Sequence, residues 1–158
     1  MRALAALCLM AACTPSLPPG DIPLRNPTVP IGAIQRFELA LFSGDWIVRE
    51  SAGGDWRVTA FTVSGTQWRE RAPTAAATAE ITQRATGVLR LAYPDGGARD
   101  VWVLWIDSDH QTVALGSLGG AFGLIATRQG TQRADQIAAA RNILDFNGYR
   151  TDTWKGDT

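Results

Sequence analysis

From Gly44 to Arg128 apolar and polar residues alternate in short runs, separated by clusters of Gly, Pro, Asp and Ser. A period of two between tight turns marks strands with one buried face. Eight runs fit: residues 45–50, 56–63, 66–71, 78–84, 87–93, 99–106, 111–116 and 120–128. The run 99–106 is the most apolar and is expected to be buried on both faces. Even spacing of short strands predicts an antiparallel barrel or a sandwich. Strands do not alternate with long helices, which argues against a Rossmann-type sheet. After Arg128 the period lengthens. Residues 132–146 place Ile137, Ala140, Ile143 or Leu144, and Phe146 about one turn apart, with Thr131 as N-cap and Gly148 as C-cap. This helix should lie on the outside of the strands, which accounts for apolar Trp102 and Leu104 on an outer face. Residues 34–42 carry apolar side chains at helix-like steps and are expected to close one end as a short helix or turn.

The N-terminal third has a different pattern. Met1-Arg2 is followed by an apolar run from Ala3 to Ala12 and then by Cys13. A charged start, a short apolar core and small residues describe an export signal. Ten apolar residues fall short of the roughly 20 that cross a bilayer. The ending Leu9-Met10-Ala11-Ala12-Cys13 resembles a bacterial lipobox, although Met10 is a less usual residue at its position. That resemblance implies a signal peptide over 1–12, cleavage before Cys13 and acylation of Cys13. Several acyl chains make a stable anchor where one is marginal. The alternative is a plain signal peptide with an incidental cysteine. Thr14, rather than Asp, follows the cysteine. In Gram-negative lipoproteins, to which this is similar, that favours the outer membrane, with the domain facing the periplasm. Six of the eight prolines fall between Thr14 and Pro30, so residues 13–33 read as a semi-rigid linker. The domain itself is expected over 34–158.

Composition narrows the chemistry. Fifteen basic and fifteen acidic residues cancel, and without a basic surplus a nucleic-acid partner is not expected. Once Cys8 leaves with the signal and Cys13 carries lipid, no thiol is left for a disulfide, a zinc site or a nucleophile. A single histidine, His110, makes a poor metal site without partners. Asp107-Ser108-Asp109-His110 holds the residue types of a triad, but neighbours on one turn do not converge as a relay must. The glycine-rich segment 116–123 lacks the Gly-Lys-Ser/Thr of a phosphate loop and reads as a hairpin with close backbone packing. No enzyme, cofactor or metal is expected. Six tryptophans lie in or beside the strands, where large aromatics suit barrel interiors.

Together these residues resemble the lipocalin family, and within it the bacterial outer-membrane lipocalin lipoproteins. Gly44-x-Trp46 opens the first strand as in the family signature. Asp107-x-Asp109-His110 stands between the sixth and seventh strands, where the family often has an acidic turn followed by an aromatic. Arg128 ends the eighth strand, and Gly148-Tyr149 with Trp154 follows the helix. The sequence departs from the pattern in Ile47-Val48-Arg49-Glu50 after the tryptophan, in His110 and in its short loops, and the last of these bears on cavity size. Fatty-acid-binding and avidin-like barrels stand as neighbouring alternatives.

The resemblance implies an all-β fold: an eight-stranded antiparallel up-and-down barrel with one C-terminal helix packed outside. It implies that Trp46 points into the closed end with Arg128 across its indole, with Gly44, Trp46 and Arg128 as structural residues. Alternation then points Val48, Val58, Trp68, Ile81, Leu89, Leu91, Val103 and Trp105 inward, as the lining of a site for a small hydrophobic ligand of fatty-acid or lysophospholipid class. A one-residue slip would turn each set outward. The competing reading is a structural or interaction lipoprotein with a filled barrel. The sequence leaves the oligomeric state open.

Overall fold

The computed structural model describes residues 24–52 and 56–156. The leader and Cys13 lie outside the described residues. Eight antiparallel strands follow one another: β1 (Gly44–Ser51), β2 (Ala60–Ser64), β3 (Gln67–Arg71), β4 (Ala76–Ala85), β5 (Val88–Ala92), β6 (Ala98–Ile106), β7 (Thr112–Gly116) and β8 (Gly123–Arg128). Each pairs with the next, β8 pairs with β1, and β1 pairs with β2, which closes the barrel. A two-residue strand, β9 (Lys155–Gly156), adds to β1 at Glu50 and Ser51. The β1–β2 ladder covers only Gly44–Ile47, so β9 takes an edge that β2 has left.

The expected strands are present, with shorter second and eighth members. β2 starts at Ala60 rather than residue 56, and β8 at Gly123 rather than residue 120. Trp56 and Val58 instead belong to the loop between β1 and β2, and both are buried in the core. Strand β6 is not the one enclosed on both faces; β7 and all of β8 but its last residue are. The C-terminal helix decides this, because it lies across β7 with β6 and β8 at its sides.

That helix, α2 (Ala134–Phe146), follows α1 (Leu39–Phe42), a single turn whose Phe42 is fully buried. Ile137, Ala140 and Leu144 of α2 pack on Leu104, Ala114 and Ile125, forming a second apolar cluster outside the barrel. Phe146, expected on this stripe, is 80% exposed. It follows Leu144 by two residues, which turns it to roughly the opposite side of the helix. The N-cap is Arg133 and not Thr131, whose hydroxyl meets the Gln111 side chain. Gly148 ends the helix with φ +89°, in the left-handed region that suits glycine.

Residues 24–33, read from the sequence as part of a spacer, pack against the domain. Arg25 is only 3% exposed and donates to the carbonyls of Asn147 (2.9 Å), Leu118 (2.8 Å) and Val29. Saturating a buried guanidinium with carbonyls meets its desolvation cost.

Candidate functional site

The barrel has two unlike ends. At one, the β2–β3, β4–β5 and β6–β7 turns gather with α1. There Trp46 sits opposite Arg128 in the β1–β8 ladder, and the guanidinium lies 3.9 Å from the indole centroid. Arg128 also donates to the carbonyls of Leu41 (2.9 Å) and His110 (3.1 Å), and Trp46 Nε1 donates to Phe42 (2.9 Å). Burial lowers the pKa of Arg128, and the Asp45 carboxylate opposes that shift. Gly44 has φ +118°, and a Cβ there would lie 2.5 Å from the guanidinium. The Gly-x-Trp element is thus explained by the cation it admits, and this end is a sealed floor. The Asp107–His110 turn belongs to the same floor: Asp107 Oδ1 accepts from the backbone of Gln111 (2.7 Å) and Thr112 (2.6 Å).

Above the floor runs a column of rings. Phe42, Trp46, Phe61, Trp68 and Trp56 follow one another with centroids 4.3–6.1 Å apart, and Trp56 meets Phe122 edge-on at 4.4 Å. Of the expected inward residues, Val48, Val58, Trp68, Ile81, Leu89, Leu91 and Val103 share this interior cluster. Trp105 does not; it packs in the outer cluster beside α2. The β6–β7 register shifts between Val103 and Trp105. One extra residue at that bulge resets the alternation, so Leu104 and Trp105 both face outward.

The other end is formed by the β1–β2, β3–β4, β5–β6 and β7–β8 loops, and its centre is polar. Glu70 Oε2 accepts three hydrogen bonds, from Trp56 Nε1 (2.8 Å), Trp68 Nε1 (3.1 Å) and the Tyr93 hydroxyl (3.1 Å). Three donors on one carboxylate oxygen are charge-assisted and fix both indoles. Tyr93 is pushed up to about 12, by burial first and then by the charge and hydrogen bond of Glu70, against a lowering by Arg99. Arg99 lies over the rings of Trp56 (5.0 Å) and Phe122 (5.7 Å). Its Nε is buried without an acceptor, and among the described residues it forms no ion pair. A cavity of about 770 Å³ opens here, lined by Trp56, Arg57, Glu70, Tyr93, Asp95 and Arg99 among others. A second, of about 460 Å³, lies where β1 and β2 part, between Val48–Ala52 and Trp56–Thr59.

The sequence reading missed Glu70, Tyr93 and Arg99, yet the signal was present. Each lies two residues from an inward apolar position: Glu70 from Trp68 on β3, Arg99 from Val101 on β6, and Tyr93, just past the end of β5, from Leu91. Polar residues on the inward phase at strand ends mark a mouth.

No protein-family model and no curated protein matches the sequence. Solved structures do match. Insecticyanin from the tobacco hornworm Manduca sexta is 9% identical, covers 82% of this chain and 84% of that chain, and gives a TM-score of 0.64. The amine binding protein of Rhodnius prolixus, in its tryptamine complex, is 13% identical, covers 80% and 84%, and scores 0.52. LTBP1 in complex with leukotriene C4 is 16% identical, covers 75% and 90%, and scores 0.50. At such identities the likeness is one of backbone. The chain has the lipocalin fold: a closed eight-stranded antiparallel barrel with its main helix, C-terminal, packed against the outside.

Proposed function

We propose that this protein binds a small, largely apolar ligand at the barrel mouth and is held at a membrane by a lipid on Cys13. The observation that carries the ligand reading is the 770 Å³ cavity above a sealed floor, walled by Trp56 and Tyr93 with Arg57, Glu70, Asp95 and Arg99 as its charged groups. Apolar walls with a few placed polar groups characterise small-molecule sites. The tryptamine and leukotriene C4 complexes of like-folded proteins support a ligand in this barrel type. The ligand class proposed is a fatty acid or lysophospholipid, bound without covalent chemistry. The anchor, the outer membrane and the periplasmic orientation rest on the leader sequence, Leu9-Met10-Ala11-Ala12-Cys13-Thr14. The tested ligand is a fluorescent fatty acid titrated into delipidated protein, where saturable uptake is expected. The mass of the mature N-terminal peptide tests the anchor, which requires an acylated Cys13.

The ring column supports a second reading. Phe42, Trp46, Phe61, Trp68 and Phe122 are nearly or fully inaccessible and fill much of the interior. In a solid barrel the outer surface would dock a partner instead. Lack of saturable uptake by the delipidated protein selects this reading over the first.

A further inference from the structure

From the mouth geometry we infer that Arg99 is the reader of an oxyanion head group on the ligand. This rests on the ligand reading above and specifies which part of an amphiphile the mouth recognises.

The three donors at the mouth, Trp56, Trp68 and Tyr93, are all consumed by one oxygen of Glu70. Arg99 is left over. Its guanidinium carbon lies 5.0 Å from the Trp56 ring centroid and 5.7 Å from that of Phe122, and its Nε–H is buried with nothing to accept it. An unmet buried donor is costly, and a guanidinium offers a fork matched to a carboxylate or phosphate. Arg99 and Arg57 line the cavity with two carboxylates, Glu70, which is tied to its three donors, and Asp95, which accepts from Gly97 N–H. The aromatic walls of the same cavity suit a hydrocarbon tail. A carboxylate and a phosphodiester present the same paired oxygens, so a fatty acid and a lysophospholipid share the chemistry. The neighbouring Tyr93 keeps its proton well above neutral pH, so it adds no negative charge to repel the head group.

The test is calorimetric titration of the purified full chain, delipidated, with decanoate, with lysophosphatidylglycerol and with 1-decanol. At least one anion is expected to bind about tenfold or more tightly than the alcohol, the scale of one charge-assisted hydrogen-bonded contact. Arg99→Met keeps an apolar stem over the rings and removes the charge. It should bring the anions to within about twofold of the alcohol, leave alcohol binding unchanged and leave Tm unchanged or higher. Arg99→Lys should retain part of the preference, and Arg57→Met, at an exposed position, should retain nearly all of it. Preference for decanoate alone assigns a carboxylate; preference for the lysophospholipid alone assigns a phosphodiester. Equal binding of anions and alcohol by the unaltered chain overturns the inference while sparing the ligand reading. So does a preference that survives Arg99→Met or disappears in Arg57→Met. Absence of binding by all three overturns both.

Discussion

Gly44 joins two demands at one position: a backbone φ of +118° and room for the Arg128 guanidinium. Gly44→Ala should therefore destabilise the fold by about 1–3 kcal/mol, the range of a strained backbone position with a steric conflict. Chemical denaturation measures this, and an unchanged midpoint would refute the account of the floor. Trp46→Phe keeps the ring stack but removes the donor to Phe42, so a smaller loss of about 1 kcal/mol is expected. The two tyrosines supply a pH prediction. Both are held above the ordinary phenol value, chiefly by burial, Tyr93 at about 12. The folded protein keeps these protons longer than the unfolded chain, so the stability they add is complete below pH about 10 and is lost as pH rises toward 12. Absorbance at 295 nm should show phenolate later in the folded protein than in the denatured chain. Tyr93→Phe should flatten the alkaline loss of stability; an identical alkaline profile would contradict the burial argument.

At the scale of elements, α2 is held by a short list of side chains. Leu144 is fully buried between the helix and the barrel wall, and Leu144→Ala should cost about 2–5 kcal/mol. Phe146→Ala, on the exposed side, should cost under about 0.5 kcal/mol. Similar losses in the two variants, read by thermal unfolding, would mean that the helix is seated differently. The chain after α2 locks the β7–β8 hairpin. The Tyr149 hydroxyl accepts from Ser117 N–H (2.9 Å) and lies 2.8 Å from the Phe122 carbonyl. A Cβ at Gly116 or Gly123 would lie 2.5 or 2.7 Å from the Tyr149 side chain. The glycine-rich stretch is therefore a seat for one aromatic ring. Gly123→Ala should destabilise strongly, and much less so in a Tyr149→Ala background; strictly additive costs in that double-mutant cycle would break the argument.

Across the whole molecule, the two faces of β6–β8 serve different cores. The inner core holds the ring column and the outer one holds α2. Trp105→Ala should lower stability without altering uptake of a fluorescent fatty acid. Trp56→Ala, at the mouth, should change uptake. Reversal of these effects would place the ligand outside the barrel.

The period-two pattern by itself determined the eight strands, and the longer period after Arg128 the helix, because local alternation and turn chemistry suffice for single elements. Gly44, Trp46 and Arg128 were marked by their resemblance to a family signature, not by the period. Alternation made seven of eight inward positions legible. Trp105 was not, since a bulge changes phase by one residue and leaves no mark in the amino-acid types. Phe146 was misread although its two-residue offset from Leu144 already turns it away from the stripe of Ile137, Ala140 and Leu144. The pairing of groups at the mouth was decided by tertiary structure. Glu70 and Arg99 come from two strands, Tyr93 from the residue just after a third, and Trp56 and Phe122 from two loops. Only closure of the barrel brings a carboxylate under three donors and leaves the Arg99 Nε–H without an acceptor, and such pairing depends on distances that no local pattern encodes.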